Sequence, residues 1–358
     1  MPPTPSRNAS CALACALLAA GCESAPAPIP GGDVEIAAAP HVLVTTESAL
    51  IGSLADMAVG ADGRIFLLDV QARRVHVVDR AGRPALAIGR PGEGPGELQR
   101  PQALHLRGDS LVVADLGTGR YEVFTLTGEP AASRQIPPCA SGPGPPALGA
   151  EGTQVRATLG FDGVLAVVCS PEGQERARIG ELLAPGQSFV NMVELREQIL
   201  EGEVPALLLN AASAVVGRDG SVWLTVAAAA RVERYAPDGE RLFRTELAEP
   251  EFPAVRAAWI ERAAEMETPG VPGLNYLLRA REVGGDLWVL THTGGEAGAK
   301  IVVVSPRGDV ERRLRFPLLE GASNFAVDEE RGRIYFYLSD TAEVVGVDVG
   351  DHLGATAE

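Results

Sequence analysis

Long apolar runs, net positive charge and enzyme signature motifs are all missing from this sequence of 358 residues. No apolar run reaches the roughly twenty residues that a helix needs to cross a bilayer, so we expect no permanent transmembrane helix. The formal net charge is −16, with 47 acidic against 31 basic side chains. A nucleic-acid partner is therefore not expected, because such a partner requires a basic surface.

Motifs that carry known chemistry are absent as well. The sequence has no HExxH, CxxC or GxSxG motif, no P-loop and no EF-hand loop, and its five histidines are scattered. We therefore interpret His105 and His292 as strand or surface residues rather than as metal ligands. Architecture is easier to predict from this sequence than chemistry.

Glycine and proline are abundant, at 41 and 27 residues, and follow no collagen period. Such a composition is typical of many turns between short elements. With 46% hydrophobic residues the chain has enough apolar side chains to bury a core. An all-β fold is the leading prediction.

The amino terminus has the pattern of a signal peptide over residues 1–21. One basic residue, Arg7, precedes the uncharged apolar run 11–21. The residues from Leu18 to Cys22 resemble the lipobox of bacterial lipoproteins, and this resemblance implies that Cys22 is acylated. The alternative is ordinary cleavage and a free secreted product. Either way we expect export, with a lipid anchor as the only membrane attachment under the first interpretation.

Residues 22–40 are rich in proline, alanine and glycine, which predicts a flexible tether. The lipobox resemblance places the protein at the cell envelope, on the periplasmic or outer-membrane face. Cys139 and Cys169 follow later in the chain. In an oxidising compartment they either form a disulfide or remain two small buried side chains.

A repeat runs through the chain, in which a basic residue opens a strand and a glycine follows eight residues later. The pairs are Arg74 and Gly82, Arg120 and Gly128, Arg178 and Gly186, Arg231 and Gly239, and Lys300 and Gly308. A sixth unit near residues 333–349 ends before its last strand, whereas the β-rich segment 41–46 has no unit of its own. The amino-terminal segment is therefore predicted to complete the last unit.

These units predict a six-bladed β-propeller with four-stranded antiparallel blades over residues 41–350, followed by a tail at 351–358. In this prediction the innermost strand of the third blade is 154–160. Two insertions interrupt the repeat. Residues 254–267 are predicted to form a helix, and 189–205 either a helix or a strand followed by a loop, so one or two short helices are expected.

The connector between the first two units carries a family resemblance. Gly94-Pro95-Gly96-Glu97, Pro101, Val113-Ala114-Asp115 and Arg120 match a signature of NHL-type and related six-bladed propeller lipoproteins of bacteria, with Leu98 where an aromatic residue is usual. This resemblance implies the fold and export but no particular chemistry. We expect Glu97 to accept backbone hydrogen bonds in the connector, the alternative being a ligand contact.

Candidate binding residues lie where the inner strands of a propeller converge on the axis. Alignment by register places Asp56, Gln102 and Arg156 there, with Ser213, Leu278 and Phe325 in the remaining blades. Neighbouring polar positions are Asn210, Arg279 and Asn324. Asp56 with the two asparagines would offer oxygen ligands for calcium, as in six-bladed lactonases, although the motifs of those enzymes are not visible.

Two functions follow from these observations. The first is a non-catalytic binding or scaffold module at the cell envelope without a cofactor, whose partner is a protein, peptide or glycan. The second is a calcium-dependent hydrolase or lyase centred on Asp56, Asn210 and Asn324. The sequence favours the first, because no catalytic motif supports the second.

Overall fold

The computed structural model describes residues 32–45, 51–186, 190–247, 249–266, 270–293 and 298–353. Six sheets form the blades of a β-propeller, which confirms the predicted fold. Cys22 and the predicted signal peptide lie outside the described residues. In the part of the chain that is described, no helix is long and apolar enough to span a bilayer.

Each blade uses consecutive strands, and the two amino-terminal strands join the last two blades. The strands in chain order are β1 (Gly32–Glu35) and β2 (His41–Val44); in blade 1, β3 (Leu54–Val59), β4 (Ile65–Asp69), β5 (Arg74–Val78) and β6 (Pro84–Ile88); in the next connector, β7 (Arg90–Pro91) and β8 (Glu97–Leu98); in blade 2, β9 (Pro101–Arg107), β10 (Ser110–Asp115), β11 (Arg120–Thr125) and β12 (Pro130–Gln135); in blade 3, β13 (Ala147–Leu148), β14 (Gln154–Ala157), β15 (Ala166–Cys169) and β16 (Glu175–Ile179); in blade 4, β17 (Ala212–Val216), β18 (Val222–Val226), β19 (Arg231–Tyr235) and β20 (Arg241–Glu246); in blade 5, β21 (Leu277–Val283), β22 (Asp286–Thr291), β23 (Ala299–Val304) and β24 (Val310–Phe316); and in blade 6, β25 (Ala322–Asp328), β26 (Arg333–Leu338) and β27 (Glu343–Asp348). The first strand of each blade is its innermost.

The amino-terminal segment closes the ring. β2 pairs antiparallel with β27 and becomes the fourth strand of blade 6, as the repeat predicted. β1 pairs in parallel with β24 and adds a fifth strand to blade 5. Residues 32–35, which were expected to belong to the tether, are therefore part of the sheet structure.

Blade 3 departs from the predicted register. Its innermost strand is the two-residue β13, and 154–157 forms the second strand, so the predicted inner strand 154–160 is wrong. The segment Gly149–Gly152 makes the same inner hairpin as Gly60–Gly63, with the second glycine donating to the first in both blades. Leu165, rather than the predicted Arg178, takes the position that a basic residue occupies in blades 1, 2, 4 and 5.

The repeated glycine lies in the outer hairpin of blades 1, 2, 4 and 5, where the chain must turn tightly, and in blade 3 Gly173 takes this position instead of the predicted Gly186. Gly82 has a φ of +77°, and a Cβ atom there would lie 1.9 Å from the carbonyl oxygen of Leu43 in the neighbouring blade. Only glycine fits this position. The aspartate that ends the second strand of blade 1 caps the chain, because Asp69 accepts hydrogen bonds from Gly52 and Ala72 backbone amides at 2.7 and 2.9 Å. Asp115 does the same in blade 2.

Three α-helices occur in the described residues, one more than the largest expected number: α1 (Met192–Leu200), α2 (Ala206–Leu209) and α3 (Phe252–Glu265). Trp259 of α3 is buried and donates to the carbonyl oxygen of Pro272 at 2.7 Å. The start of α3 is held to blade 5 by buried charges, since Lys300 contacts Glu251 and Arg313 contacts Glu249 at 2.9 Å. Four short 3-10 turns complete the described helices, at Pro138–Ala140, Ala227–Ala229, Glu329–Arg331 and Gly350–Leu353.

A disulfide joins Cys139, in the connector after blade 2, to Cys169 at the end of β15. The bond closes a stretch of 30 residues, with a Cα separation of 6.1 Å. Cys169 is fully buried, together with Ala114, Ala140 and Val167 between blades 2 and 3. The disulfide therefore fixes the connector that leads to the shortened inner strand.

Candidate functional site: the axial cavity

A cavity of about 370 Å³ lies on the axis of the propeller. Its lining comes from the inner strands β3, β9, β13, β17 and β21 and from β14 and β18, but includes no residue of blade 6. Because β13 has only two residues, the preceding connector Gly144–Pro146 lines the cavity in its place.

Charged side chains form one wall of this cavity. Asp56 of β3 is 3% exposed and forms an ion pair with Arg281 of β21 at 2.5 Å. Arg281 also donates to the side-chain oxygen of Asn324 at 3.3 Å and to the carbonyl oxygen of Met57 at 3.0 Å. These contacts connect blades 5, 6 and 1 across one side of the axis.

Arg279 lies two residues before Arg281 on β21 and forms fewer hydrogen bonds than Arg281 does. Its guanidinium donates to the carbonyl oxygen of Ala55 at 2.6 Å, and the same group lies 3.9 Å from Asp56. Its Nε is buried and forms no hydrogen bond with the described residues. A third of the Arg279 side-chain surface, 33%, is exposed. Arg279 therefore retains hydrogen-bonding capacity at the cavity wall.

The pKa values reflect this arrangement. Burial alone would raise the pKa of Asp56, but the charges of Arg281 and Arg279, together with hydrogen bonds from Arg281 and Leu104, lower it to about 2. Burial lowers the pKa of Arg279, whereas the charge of Asp56 raises it. Asp56 is thus an ionised counter-charge at neutral pH and a very weak base.

His105 of β9 lines the cavity as a neutral imidazole. Burial lowers its pKa to about 4, and the charges of Arg281 and Arg107 also lower it, whereas the charge of Asp56 raises it. Its Nε2 is buried and has no hydrogen-bond partner among the described residues. A neutral imidazole has one N–H donor and one lone pair, so it can either donate or accept a hydrogen bond.

Some of the predicted site residues meet at the charged wall, and the others lie elsewhere in the fold. Asp56, Arg279 and Asn324 are brought together at the charged wall. Asn210 lies between α2 and β17, where its side chain bonds to the backbone of Leu183 and Ala184 at 2.9 and 3.0 Å.

Two other predicted positions lie outside the cavity lining. Gln102 is half-buried on β9. Arg156 is on the second strand of blade 3, where it bonds to the carbonyl oxygen of Cys139 at 2.8 Å and to Asp162 at 2.6 Å. Its expected place at the axis depended on the incorrect register of that blade. Of the other aligned positions, Ser213 and Leu278 line the cavity.

Arg281 and His105 are the site residues that sequence reasoning did not place. A signal for Arg281 was present, because residues two apart on a strand share a face and Arg279 was already a candidate. His105 stands in the same relation to Ala103, which also lines the cavity. The partners of both side chains come from other blades, and one sequence does not show such contacts. Glu97, by contrast, accepts from the backbone of Gly94 at 2.9 Å, as expected.

The charged wall does not fit a calcium ion. Calcium requires six to eight oxygen ligands, several of them carboxylates. Both carboxylate oxygens of Asp56 already accept hydrogen bonds, and two guanidinium groups beside it would repel a divalent cation. The side-chain oxygen of Asn210 is also engaged elsewhere. We therefore derive no calcium-dependent step from this site.

Comparisons with known proteins agree with the fold. A family model described as a 6-bladed beta-propeller matches residues 42–141. No curated protein matches the chain. A protein from Bacteroides fragilis described as exported is 12% identical, with a TM-score of 0.52 over 88% of this chain and 97% of that one. This similarity supports the fold alone.

Two further structures are less similar. The virginiamycin B lyase from Staphylococcus aureus, solved with quinupristin as a catalytically inactive variant, is 13% identical, with a TM-score of 0.44 over 83% of this chain and 84% of that one. A protein described as a gluconolactonase is 15% identical, with a TM-score of 0.48 over 88% and 93%. At these scores neither similarity supports an activity. The chain is a six-bladed β-propeller with a polar axial cavity.

Proposed function

We propose that this protein is a non-catalytic binding module that holds a small molecule in its axial cavity. The observation that carries the proposal is the axial cavity itself, whose wall holds the partly exposed Arg279 guanidinium beside the buried Asp56 carboxylate. A cavity with a small number of convergent polar groups is the usual form of a small-molecule site. A volume of about 370 Å³ is within the range of small-molecule sites.

The charge states favour binding over catalysis. A general acid or base works best with a pKa near the operating pH. Asp56, with a pKa of about 2, and His105, with a pKa of about 4, are both far below neutral pH. Their geometry suits recognition, because Asp56 orients the two arginines and His105 adds a neutral imidazole to the cavity wall.

Ligand-observed NMR tests this proposal with a mixture of small organic acids, amides, amines and alcohols. Ser213 is exposed on β17 and lines the cavity, so Ser213→Phe should fill it without disturbing the core. Ala131→Phe, on the exposed outer strand β12, is the matched control. We expect binding to the wild type and to Ala131→Phe that is lost in Ser213→Phe. Equal binding to all three, or to none, would overturn the proposal.

Export and lipid anchoring are part of the same proposal. The disulfide between Cys139 and Cys169 supports an oxidising compartment, because such bonds persist mainly in exported proteins. Under this proposal Cys22 carries the lipid and the propeller acts at the envelope. The expected partner is an envelope protein, peptide or glycan, and the cavity size favours a small molecule or one side group of such a partner.

Fractionation tests the anchor. Cys22→Ala should move the protein from the membrane pellet to the soluble fraction, whereas Cys139→Ala, another cysteine substitution, should leave it in the pellet. Retention of Cys22→Ala in the pellet would refute the anchor and leave the cavity proposal intact.

A further inference from the structure

The cavity has two chemically different sides. Asp56, Arg279, Arg281 and His105 lie on the side formed by blades 5, 1 and 2. The side formed by blades 3 and 4 is mainly apolar, with Ser213 and Thr225 as its polar side chains, and its apolar lining includes Ala147, Leu148, Val155, Ala157, Val215 and Val216. A ligand that satisfies both sides has a polar head and an apolar body.

Two arginines share one carboxylate on the charged side. Asp56 forms its short contact with Arg281, at 2.5 Å, and lies 3.9 Å from Arg279. Glu282, at the end of β21, also lines the cavity, and its carboxylate lies 3.6 Å from Arg218, which bonds to Glu329 at 2.6 Å. His105 is neutral at pH 7 because its pKa is about 4. Arg279 is therefore the cavity arginine without a close carboxylate of its own.

Arg279 is suited to a carboxylate. A guanidinium presents parallel N–H donors that match the two oxygens of a carboxylate, and such charge-assisted hydrogen bonds are among the strongest in proteins. A cationic head would face two arginines, and a neutral head would leave Arg279 without a close counter-charge in a partly desolvated cavity.

We infer that the ligand of the axial cavity is a small organic carboxylate with an apolar body, whose anionic head binds Arg279. This inference rests on the proposed binding function and adds the charge and shape of the ligand. The apolar side of blades 3 and 4 contacts the hydrocarbon part.

Benzoate, benzamide and benzylamine test the inference, because they share one shape and differ in charge. Isothermal titration at pH 7 should show benzoate binding about 10- to 100-fold more tightly than benzamide, the range expected for a charge-assisted hydrogen bond. Benzylamine, which is a cation at this pH, should bind most weakly of the three.

Variants of Arg279 identify the group responsible. Arg279→Gln should remove the preference for benzoate over benzamide, whereas Arg279→Lys should retain part of it. Arg241→Gln, which removes the same charge from the outer strand β20, is the matched control and should behave as the wild type. Thermal melting verifies that each variant is folded.

Three results would overturn the inference. If benzamide or benzylamine binds the wild type as tightly as benzoate, the carboxylate assignment is wrong and the binding function stands. If Arg279→Gln is folded and keeps the full preference for benzoate over benzamide, the carboxylate does not bind Arg279. If none of the three compounds binds, the inference fails, and the proposed function is then judged by its own mixture experiment.

Discussion

Asp56→Asn offers a quantitative test of the charged wall. The substitution keeps the shape of the side chain but removes the charge that faces Arg281 at 2.5 Å and Arg279 at 3.9 Å. It also places an amide nitrogen where a carboxylate oxygen accepts from the backbone of Met57 or Leu104. Two guanidinium groups would then remain at the axis without a counter-charge.

Two estimates of the stability that Asp56→Asn should lose are similar. Removing one partner of a buried ion pair costs about 3–5 kcal/mol. The arginines keep 26% and 33% of their side-chain surface exposed, so solvent screening reduces the expected cost to about 2–3 kcal/mol. Independently, lowering the pKa of Asp56 from 3.8 to about 2 corresponds to about 2.5 kcal/mol of folding free energy.

The pH dependence follows from the direction of this shift. Because the pKa of Asp56 is lower in the folded protein than in the unfolded chain, its stabilisation is complete well above pH 3.8 and is lost as the pH falls towards 2. At pH 3 about 1 kcal/mol should already be lost. The difference between wild type and Asp56→Asn should therefore be smaller at pH 3 than at pH 7.

Urea unfolding followed by tryptophan fluorescence measures this difference, with the disulfide intact. Asp238→Asn, at an exposed turn, controls for the loss of one negative charge. Equal stability of Asp56→Asn and wild type at pH 7 would refute the reasoning. A difference that stays constant between pH 7 and pH 3 would show that the ionised carboxylate is not its source.

Further predictions concern other parts of the fold. Replacing Cys139 and Cys169 together by alanine should lower the free energy of unfolding by about 3.5 kcal/mol, as expected for a closed loop of 30 residues; an unchanged urea midpoint would contradict it. Lys300→Met should cost about 3 kcal/mol, since it leaves Glu251 buried without its cation, and a smaller loss on replacing both by apolar residues would confirm the cause. NMR titration should find His105 neutral down to a midpoint of about pH 4, and a midpoint near 6.5 would place the ring in water.

The ring architecture could be predicted because it depends on short-range sequence patterns. Each hairpin needs a glycine at a fixed distance from the strand that precedes it, and Gly82, Gly128, Gly239 and Gly308 all supply one. Blade 3 was misread because Asp162-Gly163 resembles a hairpin turn, whereas the actual inner hairpin is Gly149–Gly152. In this hairpin Glu151 precedes the second glycine, whereas an aspartate precedes it in blade 1. The similarity between the two hairpins was therefore not recognised in the sequence.

The candidate site was predicted only in part, for a different physical reason. Asp56 and Arg279 could be placed at the axis from the register of their own strands. The contact between Asp56 and Arg281 joins residues 225 positions apart, and it depends on how β21 approaches β3 past blade 6. The pairing of β1 with β24 is also long-range, and a proline- and alanine-rich stretch gives no local sign of it.

A crystal structure of the protein with benzoate tests the proposed binding site most directly. Benzoate is expected to lie in the axial cavity, with its carboxylate within hydrogen-bonding distance of the Arg279 guanidinium and its ring against Leu148 and Val215. Benzoate bound away from the axis, or lying in the cavity with its carboxylate turned from Arg279, would contradict the proposed site.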